Sequence, residues 1–175
     1  MKTHVLLLAK TFPAKHPKAG QPTYFKEKMH NGLLWDKGEN VGYSLNPSYA
    51  IPGGIQLKLH TIRANYERWK KIIDEVNRGE AVLSVREWSG VPYRSTQVEI
   101  FRFTKDDHLG CQKLEIRSYD YDPVFWGLLV ENRAFVSKYL MANYDGLIKQ
   151  DWINWFKLCD LSKPLAIIFF ADFRY

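Results

Sequence analysis

The stretch that decides how this chain folds reads Lys58-Leu59-His60-Thr61-Ile62-Arg63-Ala64-Asn65-Tyr66-Glu67-Arg68-Trp69. Its first six residues bring together an ammonium, an imidazole, a hydroxyl and a guanidinium group. In a regular strand Lys58 and Thr61 point to opposite faces, because side chains alternate with a period of two. If the two act together, we expect the backbone between them to bend or bulge. The alternative is a structural stretch with solvated charges and a packed His60.

The residues after this stretch predict an amphipathic helix. Asn65 is a favourable N-cap, and apolar residues recur at helical spacing from Tyr66 to Val76. Gly79 supplies the C-terminal stop.

Further downstream, alternating apolar residues and turn signals predict hairpins. The last strand, Leu165 to Phe170, is almost wholly apolar and should be paired on both sides, since an exposed edge of this kind promotes aggregation. The other expected elements are strands at 81–88, 93–103 and 112–119, turns at 89–92, 105–110 and 143–147, and helices at about 130–141 and 148–158. The acidic stretch 119–123 has too few carboxylates for a calcium loop.

Upstream, we expect a first buried strand from His4 to about Thr11 and a proline-rich loop over 12–22. Thr23 is the expected N-cap of a short helix that ends near Gly32. An irregular insertion at about 33–55 follows, which we interpret as a functional lid or a partly disordered loop.

Lys58, Thr61 and Arg63 form the pattern Lys-x-x-Thr-x-Arg, which resembles the signature segment of the ASCH domains in the PUA-like superfamily. Other features occur in the family's order. Residues 23–32 resemble the helix and glycine before the signature, residues 79–85 the glycine and strand after it, and residues 165–173 the closing strand. The resemblance implies an α+β fold, a PUA-like mixed β-barrel of about five to six strands flanked by helices. The insertion at 33–55 departs from the family, whose helix and signature lie closer together.

Length and composition predict one domain over residues 1–175, because 46% hydrophobic residues are enough for a substantial core. The two cysteines, Cys111 and Cys159, are far apart and lack metal-ligand spacing, so we expect no disulfide scaffold, no metal site and a cytoplasmic location. The apolar run 5–9 is too short to span a membrane. No nucleotide-cofactor fingerprint is visible, and we expect no cofactor.

The charge distribution favours an RNA or nucleotide partner. The formal net charge is +6, and the first 28 residues hold six lysines against one acid, Glu27. Aromatic residues make up 15% of the chain and offer stacking surfaces. A basic face that only improves solubility is an open alternative. The candidate binding residues are Lys15, Lys18, Lys26, Lys28, His60, Arg63, Arg86, Arg94 and Asn143.

The family resemblance also implies an alternative function, hydrolysis. Some small ASCH-like proteins remove an acyl group from the amine of a modified cytidine, and another relative is associated with RNA cleavage. By this resemblance Lys58 is the base and Thr61 the nucleophile or water holder. The family's glutamate falls at about Asn143 here, so Glu87 and Asp145 become the candidate acids. Lys58 would need a pKa several units below about 10.4, and His60 is a second candidate base.

Overall fold

The computed structural model describes residues 1–38, 56–118 and 126–175. These ranges contain eight strands and four α-helices in an α+β arrangement. In chain order the elements are β1 (Lys2–Leu7), α1 (Phe25–Asp36), β2 (His60–Ala64), α2 (Tyr66–Asn77), β3 (Ala81–Trp88), β4 (Gln97–Phe103), β5 (Gly110–Ser118), β6 (Trp126–Val130), β7 (Ala134–Val136), α3 (Lys138–Tyr144), α4 (Lys149–Phe156) and β8 (Leu165–Phe169).

The strands form two sheets. The smaller sheet has the order β1-β3-β4, with β1 parallel to β3, and the larger has the order β2-β8-β5-β6-β7 and is antiparallel throughout. The predicted α+β class is confirmed, but the described residues contain eight strands instead of five or six, and no ladder joins the two sheets into a closed barrel.

Strand β8 lies inside the larger sheet, between β2 and β5, and all five of its residues are buried. This confirms the prediction that the last apolar strand is paired on both sides.

Helix α2 also matches its prediction. The Asn65 side chain accepts a hydrogen bond from the Arg68 N–H at 3.1 Å, and Gly79 has a positive φ of 76° after the helix. Its buried face carries the apolar residues Trp69, Ile72, Ile73 and Val76.

The N-terminal predictions need correction. Strand β1 ends at Leu7 and forms an edge of its sheet, so it is neither as long nor as buried as expected. Thr23 is not the N-cap of α1, because its hydroxyl donates to the Ala9 carbonyl at 2.6 Å and Tyr24 takes the cap position. The helix continues past Gly32 to Asp36. Residues 39–55 of the expected insertion lie outside the described ranges.

The prediction of a helix over 130–141 is wrong. Residues Glu131 and Asn132 have φ values of 51° and 58°, the pair of left-handed residues that a tight β-hairpin requires. They connect β6 to β7. Helix α3 begins only after Ser137, whose hydroxyl accepts a hydrogen bond from the Leu140 N–H at 3.1 Å. Helix α4 agrees with the prediction at 148–158 to within two residues at each end.

Strand β4 starts at Gln97 and not at Tyr93. Tyr93 has a φ of 65°, which is incompatible with a regular strand and extends the turn before β4. Strand β5 lies within two residues of its predicted bounds, whereas the acidic stretch 119–123 is outside the described ranges. Within the ranges described here, no helix is both long and apolar enough to cross a bilayer.

Candidate functional site

The backbone at Lys58 is held by three elements before β2 begins. The Lys58 N–H donates to the Lys28 carbonyl of α1, and the Leu59 N–H donates to the Tyr144 carbonyl of α3, both at 2.8 Å. The Leu59 carbonyl accepts from the Phe170 N–H just after β8 at 2.9 Å. Because Lys58 precedes the strand, strand alternation does not fix the direction of its side chain.

Gly32 allows α1 to approach this segment. A Cβ at position 32 would lie only 2.5 Å from the Lys58 carbonyl oxygen. The glycine is therefore inside the helix because of a close backbone contact, and it does not act as a helix stop.

Lys58 and Asp145 form a buried ion pair. The Lys58 Nζ lies 2.5 Å from Asp145 Oδ1 and 2.6 Å from the Asp145 carbonyl oxygen, and the two side chains are 0% and 6% exposed. The Lys58 Nζ also lies 4.2 Å from the centre of the Phe25 ring. Lys58 is thus enclosed between α1 and the turn that follows α3.

Burial opposes the charged form of both partners. It lowers the pKa of Lys58, and Asp145 acts against this shift. Burial likewise raises the pKa of the Asp145 carboxyl, while Lys58, Arg63 and the Trp152 indole act to lower it. The Trp152 N–H is buried and has no hydrogen-bond partner within the described residues. Burial therefore brings the pKa values of the amine and the carboxyl closer together than they are in water.

Arg63 donates hydrogen bonds to Thr61 and to the smaller sheet, and its charge acts on the Lys58–Asp145 pair. Its Nη1 donates to the Thr61 hydroxyl and to the Ile62 carbonyl, both at 2.9 Å, and its Nη2 donates to the Leu7 carbonyl at 2.7 Å. Leu7 belongs to β1 and Arg63 to β2, so the guanidinium joins the edges of the two sheets. Burial lowers the pKa of Arg63, and its charge contributes to the lowered pKa of Lys58.

His60 faces a different environment. Its Nε2 lies 2.8 Å from the Tyr175 hydroxyl, and Phe169 and Phe173 surround its ring. Burial lowers the pKa of His60 well below its usual value. The imidazole is therefore neutral at pH 7, and its Nδ1 has no partner within the described residues.

Two of the candidate binding lysines make polar contacts within the fold. Lys28 is buried and donates to the Gly146 carbonyl at 2.8 Å, and burial with the nearby Lys58 lowers its pKa to about 8. Lys18 pairs with Asp151 at 2.7 Å. Much of the N-terminal basic charge is thus used within the fold.

The remaining candidates are dispersed. Glu87 and Lys26 line a separate cavity of about 280 Å³ beside the start of α1. Arg86 donates to the Ser84 hydroxyl at 2.8 Å on β3, and Arg94 lies exposed in the β3–β4 turn. Lys15 is exposed in the loop before α1, and Asn143 is exposed on α3. Of the candidate acids, the structure places only Asp145 beside Lys58.

A larger cavity of about 700 Å³ lies between the start of α2 and the end of α4. Arg63 contributes to its wall. This residue therefore belongs both to the cavity and to what we call the buried cluster, which consists of Lys28, Lys58, Thr61, Arg63 and Asp145. Several of its residues were not predicted as site residues, and the only sequence signal was the aromatic content of the helix at 148–158. The residues missed are Tyr66, Glu67, Trp155, Phe156, Asp160 and Lys163.

Comparison with protein-family models, with curated proteins and with solved structures finds no match to this chain. Within residues 1–38, 56–118 and 126–175, no three His, Cys, Asp or Glu side chains are grouped so that they could hold a metal ion.

Proposed function

We propose that this protein is an RNA- or nucleotide-binding module of the ASCH or PUA-like type, and that its ligand occupies the 700 Å³ cavity between α2 and α4. The observation that carries the proposal is the position of Arg63. This residue of the Lys-x-x-Thr-x-Arg pattern lines the cavity and also holds Thr61 and β1 by hydrogen bonds.

The cavity has the volume and the groups that a nucleoside or mononucleotide needs. The rings of Tyr66, Trp155 and Phe156 offer apolar and stacking surfaces. The carboxylates of Glu67 and Asp160 can accept hydrogen bonds from the amino groups of a base, as acidic side chains do with cytosine.

Cations are available for a phosphate at the same place. Arg63 and Lys163 lie in the cavity wall, and the first residues of α2 bring the positive end of a helix dipole to it. The two carboxylates balance the two cations. A nucleotide that presents both amino groups and a phosphate therefore fits better than inorganic phosphate alone.

Equilibrium binding of nucleoside monophosphates tests this proposal, with Lys163→Glu compared with Lys157→Glu. Lys163 lines the cavity, whereas Lys157 is an exposed residue just after α4 that does not, and both variants change the net charge equally. We expect Lys163→Glu to weaken binding about 5- to 20-fold, roughly 1–2 kcal/mol, and Lys157→Glu to have little effect. Equal effects would show general charge attraction and contradict a site in the cavity.

One observation favours a second candidate function, hydrolysis of an acylated nucleobase or nucleoside. Asp145, 87 residues away in sequence, forms an ion pair with Lys58, and Arg63, which donates to the Thr61 hydroxyl, acts electrostatically on both partners. In this hypothesis the Thr61 hydroxyl attacks the amide carbon and Lys58 transfers its proton to the leaving nitrogen. Water then hydrolyses the resulting ester. Lys58 is fully enclosed, so a substrate would have to displace the Phe25 ring.

Turnover of N4-acetylcytidine tests this second candidate. Thr61→Val removes the hydroxyl at nearly constant volume, whereas Thr61→Ser keeps it. We expect activity in the wild type and the serine variant and its loss in the valine variant. Turnover that persists in both Thr61→Val and Asp145→Asn would exclude this cluster as the active site.

A further inference from the structure

A second surface of the molecule combines aromatic rings and cations, and it lies outside the buried cluster. It is a groove of about 470 Å³ between the end of β1 and the turn that joins β3 to β4. We call it the Tyr93 groove. The residues that matter most for its chemistry are Leu7, Lys10, Phe12, Trp88, Pro92 and Tyr93.

The turn presents Tyr93 to solvent in a fixed way. The Tyr93 residue is 87% exposed, and its ring lies against Trp88 with 5.3 Å between the ring centres. Its φ of 65° is costly for a residue with a side chain. The turn is held by Ser95, whose hydroxyl accepts from the Gly90 N–H at 3.0 Å and donates to the Val91 carbonyl at 2.9 Å. A strained, braced backbone thus exposes an aromatic face.

Two cationic side chains beside this groove are not held by other described residues of the protein. Within the described residues, the side chains of Lys10 in the groove wall and of Arg94 beside Tyr93 have no hydrogen-bond or ion-pair partner. The acid Glu99 on β4 is already bound by Ser84 and Arg102. Unpaired positive charge next to an exposed ring is the combination that binds single-stranded nucleic acid.

Residues that line this groove contact residues that line the cavity containing Arg63. Arg63 donates to the carbonyl of Leu7, which lines the Tyr93 groove. On the same boundary Phe12 of the groove packs edge to face against Trp155 of the cavity, with 5.9 Å between ring centres. The groove and the cavity therefore share a wall.

We propose that the Tyr93 groove is a base-stacking subsite, and that the ligand of this protein is a single-stranded oligonucleotide with one nucleotide in the Arg63 cavity and another stacked on Tyr93. This inference rests on the proposed nucleotide binding and extends it from a mononucleotide to a strand. Charge favours a polynucleotide over a proline-rich peptide, because both unpaired side chains are cationic.

The test compares two ligands, a nucleoside monophosphate and a six-nucleotide single-stranded RNA, on the wild type, Tyr93→Ala and Tyr139→Ala. Tyr139 is the matched control because it is 69% exposed on α3, away from the groove. We expect Tyr93→Ala to weaken hexanucleotide binding about 5- to 100-fold and to leave mononucleotide binding unchanged. Tyr139→Ala should change neither.

Salt dependence gives a second readout. Replacing Lys10 and Arg94 by glutamine should lower the slope of log affinity against log salt by about 0.7 for each lost phosphate contact with the single strand. Tyr93→Ala should leave that slope unchanged, because it removes stacking and no charge.

The outcomes separate this inference from the proposed function. If the mononucleotide binds but the hexanucleotide binds no tighter, or binds equally to Tyr93→Ala, the inference is overturned and the cavity assignment stands. Tyr93-dependent hexanucleotide binding without mononucleotide binding would support stacking on Tyr93 but overturn the cavity, and with it the two-site ligand. Tyr93-dependent binding of a proline-rich peptide, with no nucleic-acid binding, would overturn both.

Discussion

The buried cluster around Lys58 and the Tyr93 groove use similar side chains under opposite conditions. In the cluster, Lys58 and Lys28 are enclosed and each ammonium donates to a protein oxygen. At the groove, the side chains of Lys10 in its wall and of Arg94 beside Tyr93 have no partner within the described residues, and Tyr93 is almost fully exposed. A buried charge must find its partners inside the protein, whereas an exposed charge remains available to a ligand. Changes in the cluster should therefore affect stability first, and changes in the groove should affect binding.

The largest effect is expected for Asp145→Asn, which leaves the Lys58 ammonium buried without its counter-charge. We expect the free energy of unfolding to fall by about 3–5 kcal/mol in urea denaturation. Asp74→Asn is the matched control, because it breaks the exposed pair between Lys70 and Asp74 and should cost less than about 1 kcal/mol. The double variant Lys58→Met, Asp145→Asn should recover much of the loss. Equal losses in the two single variants would show that burial of the pair has no energetic consequence.

The next effect concerns the contact of α1 with the cluster. Alanine at position 32 raises helix propensity by about 1 kcal/mol, yet its Cβ would lie 2.5 Å from the Lys58 carbonyl oxygen. We expect Gly32→Ala to destabilise the protein by about 1–3 kcal/mol, since a backbone atom cannot move aside cheaply. Gly90→Ala is the control, with its nearest neighbouring atom at 3.5 Å. A stabilised Gly32→Ala variant would mean that α1 sits further from Lys58 than described.

A smaller effect is a pH dependence due to Lys28. Its pKa is about 8 in the folded protein and near 10.5 when unfolded, so the unfolded state binds more protons between these values. Stability should therefore rise with pH in this window, by about 1–2 kcal/mol from pH 7.5 to 9.5. Burial raises the pKa of Cys111 to about 12, which acts in the opposite direction above pH 9.

The measurement is therefore the difference between the wild type and Lys28→Met, determined by urea denaturation at each pH. The Lys28 contribution disappears in the methionine variant, while that of Cys111 is common to both proteins. Parallel pH profiles for the two proteins would contradict a lowered pKa at Lys28.

The smallest effect is expected in the Tyr93 groove. Tyr93→Gly removes an exposed ring and relieves a positive φ, and it loses the contact with Trp88. We expect the free energy of unfolding to change by less than about 1 kcal/mol, because these contributions oppose each other. Thermal denaturation at matched pH checks this. A loss as large as that of Asp145→Asn would make Tyr93 part of the structural framework and remove the contrast between the two regions.

The elements that the sequence predicted well are those with a local signal. Helix α2 has an N-cap residue at Asn65, a regular apolar face and a glycine stop, and β8 is an unbroken apolar run. The predictions that were wrong depended on backbone conformation that residue type does not announce. Glu131 and Asn132 turn the chain into a hairpin where a helix was predicted, and Tyr93 adopts a positive φ before β4.

The candidate site divides in the same way. Lys58, Thr61 and Arg63 are recognisable because they lie within six residues, and Asp145 could be named only as one of two acids. The structure selects Asp145 because the turn after α3 packs against α1 and the start of β2. It also reveals the cavity beside Arg63, whose walls come from α2 and from the end of α4.

The sequence by itself determined the α+β class, the central strand β8, the helix α2 and a cationic segment with a hydroxyl next to it. Tertiary structure alone decided that Lys58 is enclosed with Asp145, that Lys28 is buried, and that the side chains of Lys10 and Arg94 near Tyr93 have no partner in the part of the chain that the structure describes. The physical reason is that propensity and periodicity depend on neighbours along the chain. Whether a charged side chain is paired within the protein depends instead on its solvent exposure and on partners that folding brings from distant positions.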